Sequence, residues 1–462
     1  MSQASSLTEL RRHIDELAAA IDTQNAPQVL QDLVSQHKQA QNRLNLFVDP
    51  MARLPLEIQS IIFLHVPTRI APYQLRSTPN PNPDSSPMIF LSVCRLWRDI
   101  ALSTPELWNK IQLNAKLPRP PSYLKLCNMW LNRARSLPLS LSLTGSLDLQ
   151  QSVLDFVWEY IDQLENLTLF FNVLGLSDYT SRDTLNRLFR LDQGIQLPSL
   201  KCLSFQINDD INFSTLGQWL GVLAAAPLLS TLDLANVYFD SEIGDEIPSA
   251  SLVVGSLNTL SLGWPYTYEV AGDYGSTARI LLYLTLPALK SLKISAFNIT
   301  HDEFFAFLSR SSPPLESLEM NVYSWNLSIV SQFARLVSTL RTLELVAMDL
   351  RIAEDARRFL PFFDVLGTSD LLPHLRQFIM TTDNPWTVDY EMLQRVLTLR
   401  ATACPTRLEC FELYLPAAYD YTPNPPPTEI ERALRRLVQE GLKIHIGSVN
   451  RDRIFLSFDK SF

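Results

Sequence analysis

The chain has 462 residues, 46% of them hydrophobic and 19% charged, with a net charge of −9 and a pI near 5.3. Such a composition buries a core readily, which excludes wholesale disorder, and the length calls for two to three domains or one elongated array. The acidic balance lacks the electrostatic footprint that grips phosphate backbones, and no uncharged apolar run approaches the roughly 18–20 residues of a membrane helix, so neither nucleic acid nor membrane is an expected partner.

Residues 1–49 carry two helical patterns. Leu7, Leu10, Ile14, Leu17 and Ile21 recur at spacings of three and four, which places them on one helix face. Pro27 interrupts that face, and Val29, Leu30, Leu33, His37, Ala40 and Leu44 form a second. A helical hairpin or a short coiled coil is expected, with local docking favoured because few heptads are sustained.

Residues 50–117 form the next region. Pro55 stands where a helix tolerates a missing N–H, and Leu56, Ile58, Ile61, Ile62 and Phe63 load the helix that follows. A proline-rich stretch, 67–87, must be a loop. Beyond it one helix is expected, apolar nearly all round, from Met88 through Phe90, Val93, Cys94 and Trp97 to Ala101. A helix that is apolar on most sides needs cover on most sides, from the following domain or from a partner.

Three segments occur here in order. They are Leu54-Pro55-x-Glu57-Ile58 with Ile62-Phe63, then Val93-Cys94-Arg95-x-Trp97-Arg98-x-Ile100-Ala101, then Pro105-Glu106-Leu107-Trp108. Together they resemble an F-box, the helical module that binds the Skp-type adaptor of SCF ubiquitin ligases. The resemblance implies that Leu54, Pro55, Ile58, Ile62, Val93, Cys94 and Trp97 sit at or just behind the adaptor surface. The insertion between the first two helices, and the helical pair ahead of them, look like the large F-box families of mushroom-forming fungi.

Residues 118–462 repeat. The pattern Leu-x-x-Leu-x-Leu, with conservative swaps, begins at Leu164, Leu200, Leu229, Leu257, Leu289, Leu315, Leu340, Leu375 and Leu408, at intervals of 25 to 36 residues. Pro198, Pro227, Pro287, Pro314 and Pro373 precede several copies. Helix-like segments lie between them, and Thr300/Glu303 and Thr428/Glu431 have capping-box spacing. The array is similar to an irregular leucine-rich-repeat solenoid, one strand plus one helix per unit, in which stacked neighbours bury each other's leucines. The fold class expected is therefore α/β: a helical F-box followed by such a solenoid. The asparagine that the full repeat template wants is met by Asn172 and Asn208 but not by Val237, Pro265, Phe297, Tyr323, Met348 or Asp383. Leu137–Leu143 alternates as a strand, and residues 441–458 suggest a closing strand pair.

No catalytic constellation converges. The six histidines are scattered, no His-x-x-x-His or Cys-x-x-Cys offers metal spacing, and no glycine loop cradles phosphate, so no enzyme activity, metal or cofactor is expected. Five sparse cysteines fit reduced thiols in an intracellular protein, cytoplasmic or nuclear. What remains is surface. The residues between the repeat leucines face the opposite, concave side, and Ser204, Asp233, Lys293, Glu319, Glu344, Glu412 and Tyr414 are candidate contacts to a target protein. The expected function is substrate recognition for an SCF-type ligase, with a Skp-type adaptor and cullin as partners. The alternative is a non-catalytic repeat scaffold acting outside ubiquitination.

Overall fold

The computed structural model describes residues 2–24, 26–66, 87–114, 121–145, 149–171, 184–194, 196–207, 215–235, 237, 239, 251–263, 277–294, 299–321, 327–347, 360–368, 370–382, 389–402, 406–415, 426–448 and 454–458. The chain forms two compact units: Met1–Lys110 with Cys127–Leu137, and Ile111–Leu126 with Pro138–Phe462.

The first unit is helical. Helices α1 (Ser2–Thr23) and α2 (Pro27–Val48) pack along each other as a hairpin, and Leu17 and Ala40 are its buried seam residues. Asp49 then caps a 3-10 turn, Pro50–Arg53, by accepting the Met51 N–H at 2.9 Å. Helix α3 (Leu56–His65) follows, with Pro55 just ahead of its first residue. It buries Gln59 and Phe63, four residues apart on one face. The expected single helix after Pro87 is in fact two, α4 (Met88–Val93) and α5 (Arg95–Ser103). Cys94 between them is extended (φ −156°, ψ 174°), and its sulfur accepts the Trp97 N–H at 3.5 Å. Each short helix thus has its own buried face: Phe90 on α4, Ile100 and Ala101 on α5. The apolar residues around the expected single helix are divided between two axes, which removes part of the reason for outside cover.

Aromatic rings hold these helices. Phe63 stacks on Phe90 at 4.1 Å and 7°, and Trp97 tilts against both at 5.1 and 6.1 Å. Trp108, fully buried, donates its indole N–H to Ala101 O at 2.7 Å, meets Trp130 of α6 (Pro121–Leu131) edge-on at 4.9 Å, and lies under the Arg133 guanidinium at 4.4 Å.

The second unit is mixed α/β around one long sheet. Its strands are β1 (Lys110–Asn114), β2 (Leu139–Gly145), β3 (Leu164–Phe171), β4 (Cys202–Ile207), β5 (Thr231–Ala235), β6 (Leu252–Val253), β7 (Thr259–Leu262), β8 (Leu284–Thr285), β9 (Ser291–Ile294), β10 (Ser317–Asn321), β11 (Thr342–Ala347), β12 (Gln377–Thr382), β13 (Cys410–Leu415), β14 (Lys443–Ser448) and β15 (Ile454–Phe458). Apart from the separate pair β6–β8, they lie side by side in chain order. Pairing from β2 to β14 is parallel, and β15 closes the order antiparallel to β14.

The repeat leucines set the register. Leu141, Leu167, Leu203, Leu232, Leu260, Leu292, Leu318, Leu343, Phe378, Phe411 and Ile444 are paired strand to strand, and the residues two further on form a second such row. Both rows are buried, at about 1.5–3 kcal/mol for each large side chain. Proline turns deliver the leading leucine of several copies. The N–H of Leu200, Leu229, Leu289 and Leu375 each donates to a carbonyl three residues back, with Pro198, Pro227, Pro287 and Pro373 at the second turn position.

Helices α7 (Gln151–Glu159), α8 (Thr184–Phe189), α9 (Leu216–Ala225), α10 (His301–Ser311), α11 (Leu327–Leu336), α12 (Leu360–Leu366), α13 (Tyr390–Thr402) and α14 (Thr428–Gln439) cover the leucine side. The contacts of Trp219 with Phe205 and of Phe363 with Phe378 mark that side. Thr300 and Glu303 form the expected capping box of α10, and Thr215 with Gln218 forms another on α9. The box expected at Thr428 is absent. Pro427 is the cap, Thr428 is already helical, and Glu431 instead pairs with Arg435 at 2.8 Å. Arginines tie neighbouring segments: Arg310 donates to the carbonyls of Leu281 and Leu284, and Arg400 to those of Leu366, Leu371 and Leu372. Of the template asparagine positions only Val237 lies among the described residues; it is buried.

Candidate functional site

Two surfaces, one on each unit, collect the residues singled out in the sequence. The first begins at α3. Gln59 and Phe63 are the buried residues of this helix, and its remaining apolar side chains turn outward: Leu56, Ile58, Ile61, Ile62 and Leu64 are all exposed. Ile58 and Ile62, four apart and so on one stripe, are 43% and 38% exposed. Leu54 and Pro55 ahead of them, and Val93 at the end of α4, are also exposed. Gln59 fixes the approach to the helix by donating from Nε2 to the carbonyls of Met51 and Leu54, at 2.6 and 2.7 Å.

Cys94 and Trp97 are placed differently from the other five adaptor candidates. Both are half-buried. Cys94 caps α5, and Trp97 packs on Phe63 and Phe90 while donating its indole N–H to Asp49 at 2.8 Å. They shape the unit beneath the exposed row. Leu56, Ile61 and Leu64 belong to the exposed set as well. Their signal was in the sequence, since a helix with apolar residues on every side cannot bury them all.

The second surface is the sheet face opposite the helices. The side chains between the leucines form one register-continuous row across the strands: Ser142, Thr168, Ser204, Asp233, Ser261, Lys293, Glu319, Glu344, Ile379, Glu412 and His445. The structure therefore aligns six of the seven target-contact candidates in a single line; Tyr414 stands two residues along β13 from Glu412. The row divides chemically. From β2 to β7 it carries small hydroxyls and Asp233, which accepts from Ser204 Oγ at 3.2 Å. From β9 onward Lys293, Glu319, Glu344 and Glu412 carry charge, interrupted by the buried Ile379. Lys293 Nζ lies 2.6 Å from Glu319, so that pair is internally balanced. Glu412 accepts from Tyr414 Oη at 2.7 Å and from Cys410 Sγ at 3.3 Å, and Tyr414 itself is buried against the His445 ring at 5.6 Å. Burial, then the hydrogen bond to Glu412 and its charge, push the Cys410 thiol up to about 12.

A third line of side chains stands one residue ahead of the strands. The backbone N–H groups of Lys201, Ser230, Asn258, Lys290, Glu316, Arg341, Arg376 and Glu409 donate to the equivalent residue on the preceding strand at 2.7–2.8 Å. Opposite charges fall next to each other along this rung, as Lys201 with Glu165 (2.5 Å), Arg341 with Glu316 (3.5 Å) and Arg376 with Glu409 (3.1 Å). The hydrogen bond and charge of Glu165 raise the Lys201 pKa. Such exposed pairs are screened by solvent and organise the edge more than they stabilise it.

Among the described residues no group of three or more His, Cys, Asp or Glu is arranged to hold a metal ion, and no helix is long and apolar enough to cross a membrane. Neither family models nor curated proteins match this chain.

Proposed function

We propose that this chain is the target-recognition subunit of an SCF-type ubiquitin ligase. In this proposal, residues 54–111 act as an F-box that docks a Skp-type adaptor. The sheet of the second unit is a leucine-rich-repeat solenoid whose open face holds the target. The observation that carries the reading is the inverted burial of α3. It keeps one polar and one aromatic residue inside and turns Leu56, Ile58, Ile61, Ile62 and Leu64 to solvent. Exposed apolar side chains gathered on one short helix are costly to leave bare and mark a protein-binding surface. The resemblance of the three ordered segments to an F-box is what favours a Skp-type adaptor as that partner. The strictly sequential parallel strands, with leucine paired on leucine, support the repeat reading of the second unit.

No residue of the chain transfers ubiquitin in this mechanism. The two surfaces act by proximity, one fixing the chain to the ligase and the other raising the local concentration of the target. A target with basic or hydroxyl-rich segments suits a face on which Asp233, Glu344 and Glu412 alternate with Ser, Thr and Lys293.

The test is a pull-down from cells with the full chain as bait. Wild type should capture the Skp-type adaptor and cullin, and Ile58→Asp with Val93→Asp should lose both while the fold is retained. Capture of neither by wild type overturns the proposal. Capture of the adaptor without cullin favours a scaffold acting outside ubiquitination.

A further inference from the structure

We propose that the α1–α2 hairpin is a homodimerisation element, in which two copies of the chain pack their hairpins into a four-helix bundle. The proposal is independent of the adaptor reading. The seam residues of both helices keep strict three-four spacing over three turns or more. One hairpin uses them incompletely. With the whole chain in place Leu17 and Ala40 are buried, but Leu10, Ile14, Ile21, Leu33 and Leu44 stay half-exposed.

Helix α2 carries more than a seam. Val29 and Val34 flank it on opposite sides, and each is 45% exposed. At about 100° per residue, the arc from Val29 through the seam to Val34 spans roughly 140°. A two-helix contact needs only the narrow stripe, whereas an arc wider than about 100° belongs to a helix that faces a multi-helix core.

A second copy fits this face in size, shape and charge. Helices of 22 residues run about 33 Å, so a hairpin face about 20 Å wide removes on the order of 1,300 Å² from water across two partners, within the range of stable interfaces. The two helices are equal in length, so a two-fold axis can match hairpin to hairpin without overhang. Charge agrees. The hairpin carries five acids (Glu9, Asp15, Glu16, Asp22, Asp32) against four bases (Arg11, Arg12, Lys38, Arg43), a net of −1, whereas the whole chain carries −9. Two such faces meet with little net repulsion, and a strongly charged partner would find nothing to match.

Light scattering of the full chain during size exclusion, over a dilution series, tests this. The expected mass is twice 52.5 kDa, falling toward 52.5 kDa on dilution. Val29→Glu with Val34→Glu should remain at the single-copy mass with unchanged helical circular dichroism, since both side chains already reach solvent. A single-copy mass for wild type at every concentration overturns the proposal, as does a dimer that persists in the double variant. If the double variant loses helix, Val34→Asn alone decides: dimerisation weakened at least tenfold supports the proposal, and unchanged dimerisation overturns it.

Discussion

Trp97 donates its indole N–H to Asp49 Oδ2 at 2.8 Å, across 48 positions of chain. The other carboxylate oxygen of Asp49 accepts the Met51 N–H and starts the turn into α3. One aspartate thus fixes both the entry to the exposed helix and the orientation of the indole beneath it. Asp49→Ala removes both bonds and should lower unfolding free energy by about 2–3 kcal/mol, whereas Trp97→Phe keeps much of the ring packing and should cost about 1–2 kcal/mol. Urea titration of the two variants, read by the helical signal, checks the order. Equal stability for Asp49→Ala and wild type would mean that the bond does not hold the unit.

Substitutions on α3 should separate fold from binding. Ile58→Glu and Ile62→Glu replace side chains that already reach water, so each should change stability by no more than about 0.5 kcal/mol. Phe63→Ala removes the ring stacked on Phe90 and should cost about 3–5 kcal/mol. Thermal melts of the three variants give the comparison. A loss for Ile58→Glu as large as that for Phe63→Ala would place Ile58 in the core and remove the basis of the proposed docking surface.

The leucine framework was legible because strand alternation fixes which side a residue faces, and residue type then says which side is buried. Leu203, Leu232 and Leu260 sit where that rule puts them. The turn of the chain at Cys94 was not legible. Residues 88–101 are apolar enough to continue a helix through that point, and the break satisfies the packing of Phe90 and Trp97 on Phe63, which lies far from both in sequence. Pairs such as Lys293 with Glu319 were named as neighbours on one face, but their contact needs the strand register, which no local pattern contains. The backbone rung ahead of the strands leaves no sequence trace, because any residue's N–H and C=O can form it.

The Lys293–Glu319 pair should matter more to binding than to stability. Both side chains retain solvent contact, so Glu319→Ala should cost under about 1 kcal/mol in a denaturant titration. Exchanging the pair, Lys293→Glu with Glu319→Lys, keeps the attraction and reverses its direction along the row. The exchanged variant should match wild type in stability but change capture of any target that reads charge at these two strands. Unchanged capture of every target would remove this pair from the proposed recognition face.

Cys410 should react more slowly than Cys94 and Cys202, the other half-buried cysteines among the described residues. With its pKa raised to about 12 from 9.0, the thiolate fraction at mildly alkaline pH is about a thousandfold below that of an ordinary thiol. Iodoacetamide labelling followed by peptide mass spectrometry should show Cys410 modified far more slowly than Cys94, and Glu412→Gln should speed it only in part, because burial is the larger cause. The sign of the stability effect follows. The native state holds this proton more tightly than the unfolded chain, so the contribution is fully present below the ordinary thiol value. It is lost as pH rises from there toward 12. Rapid labelling of native Cys410 at pH 8 would show that the thiol is not held in this way.

Arg400 sets a stability prediction in the second unit. Its side chain is completely buried, and its donors reach the carbonyls of Leu366 at 2.6 Å, Leu371 at 2.8 Å and Leu372 at 2.9 Å. Those carbonyls lie between the end of α12 and strand β12, where Leu372 is held at φ +50°, a left-handed conformation unfavourable for leucine. A planar guanidinium can serve three diverging carbonyls; an ammonium cannot cover the same geometry from one point. Arg400→Ala strands several buried acceptors and should cost about 4 kcal/mol, on the scale of about 1–3 kcal/mol per unsatisfied group. Arg400→Lys should recover less than half of that, since it buries a charge with poorer pairing. Denaturant midpoints for the two variants, together with amide exchange in β12, decide it. Full recovery by lysine would mean that charge alone, and not the fork of donors, holds this turn.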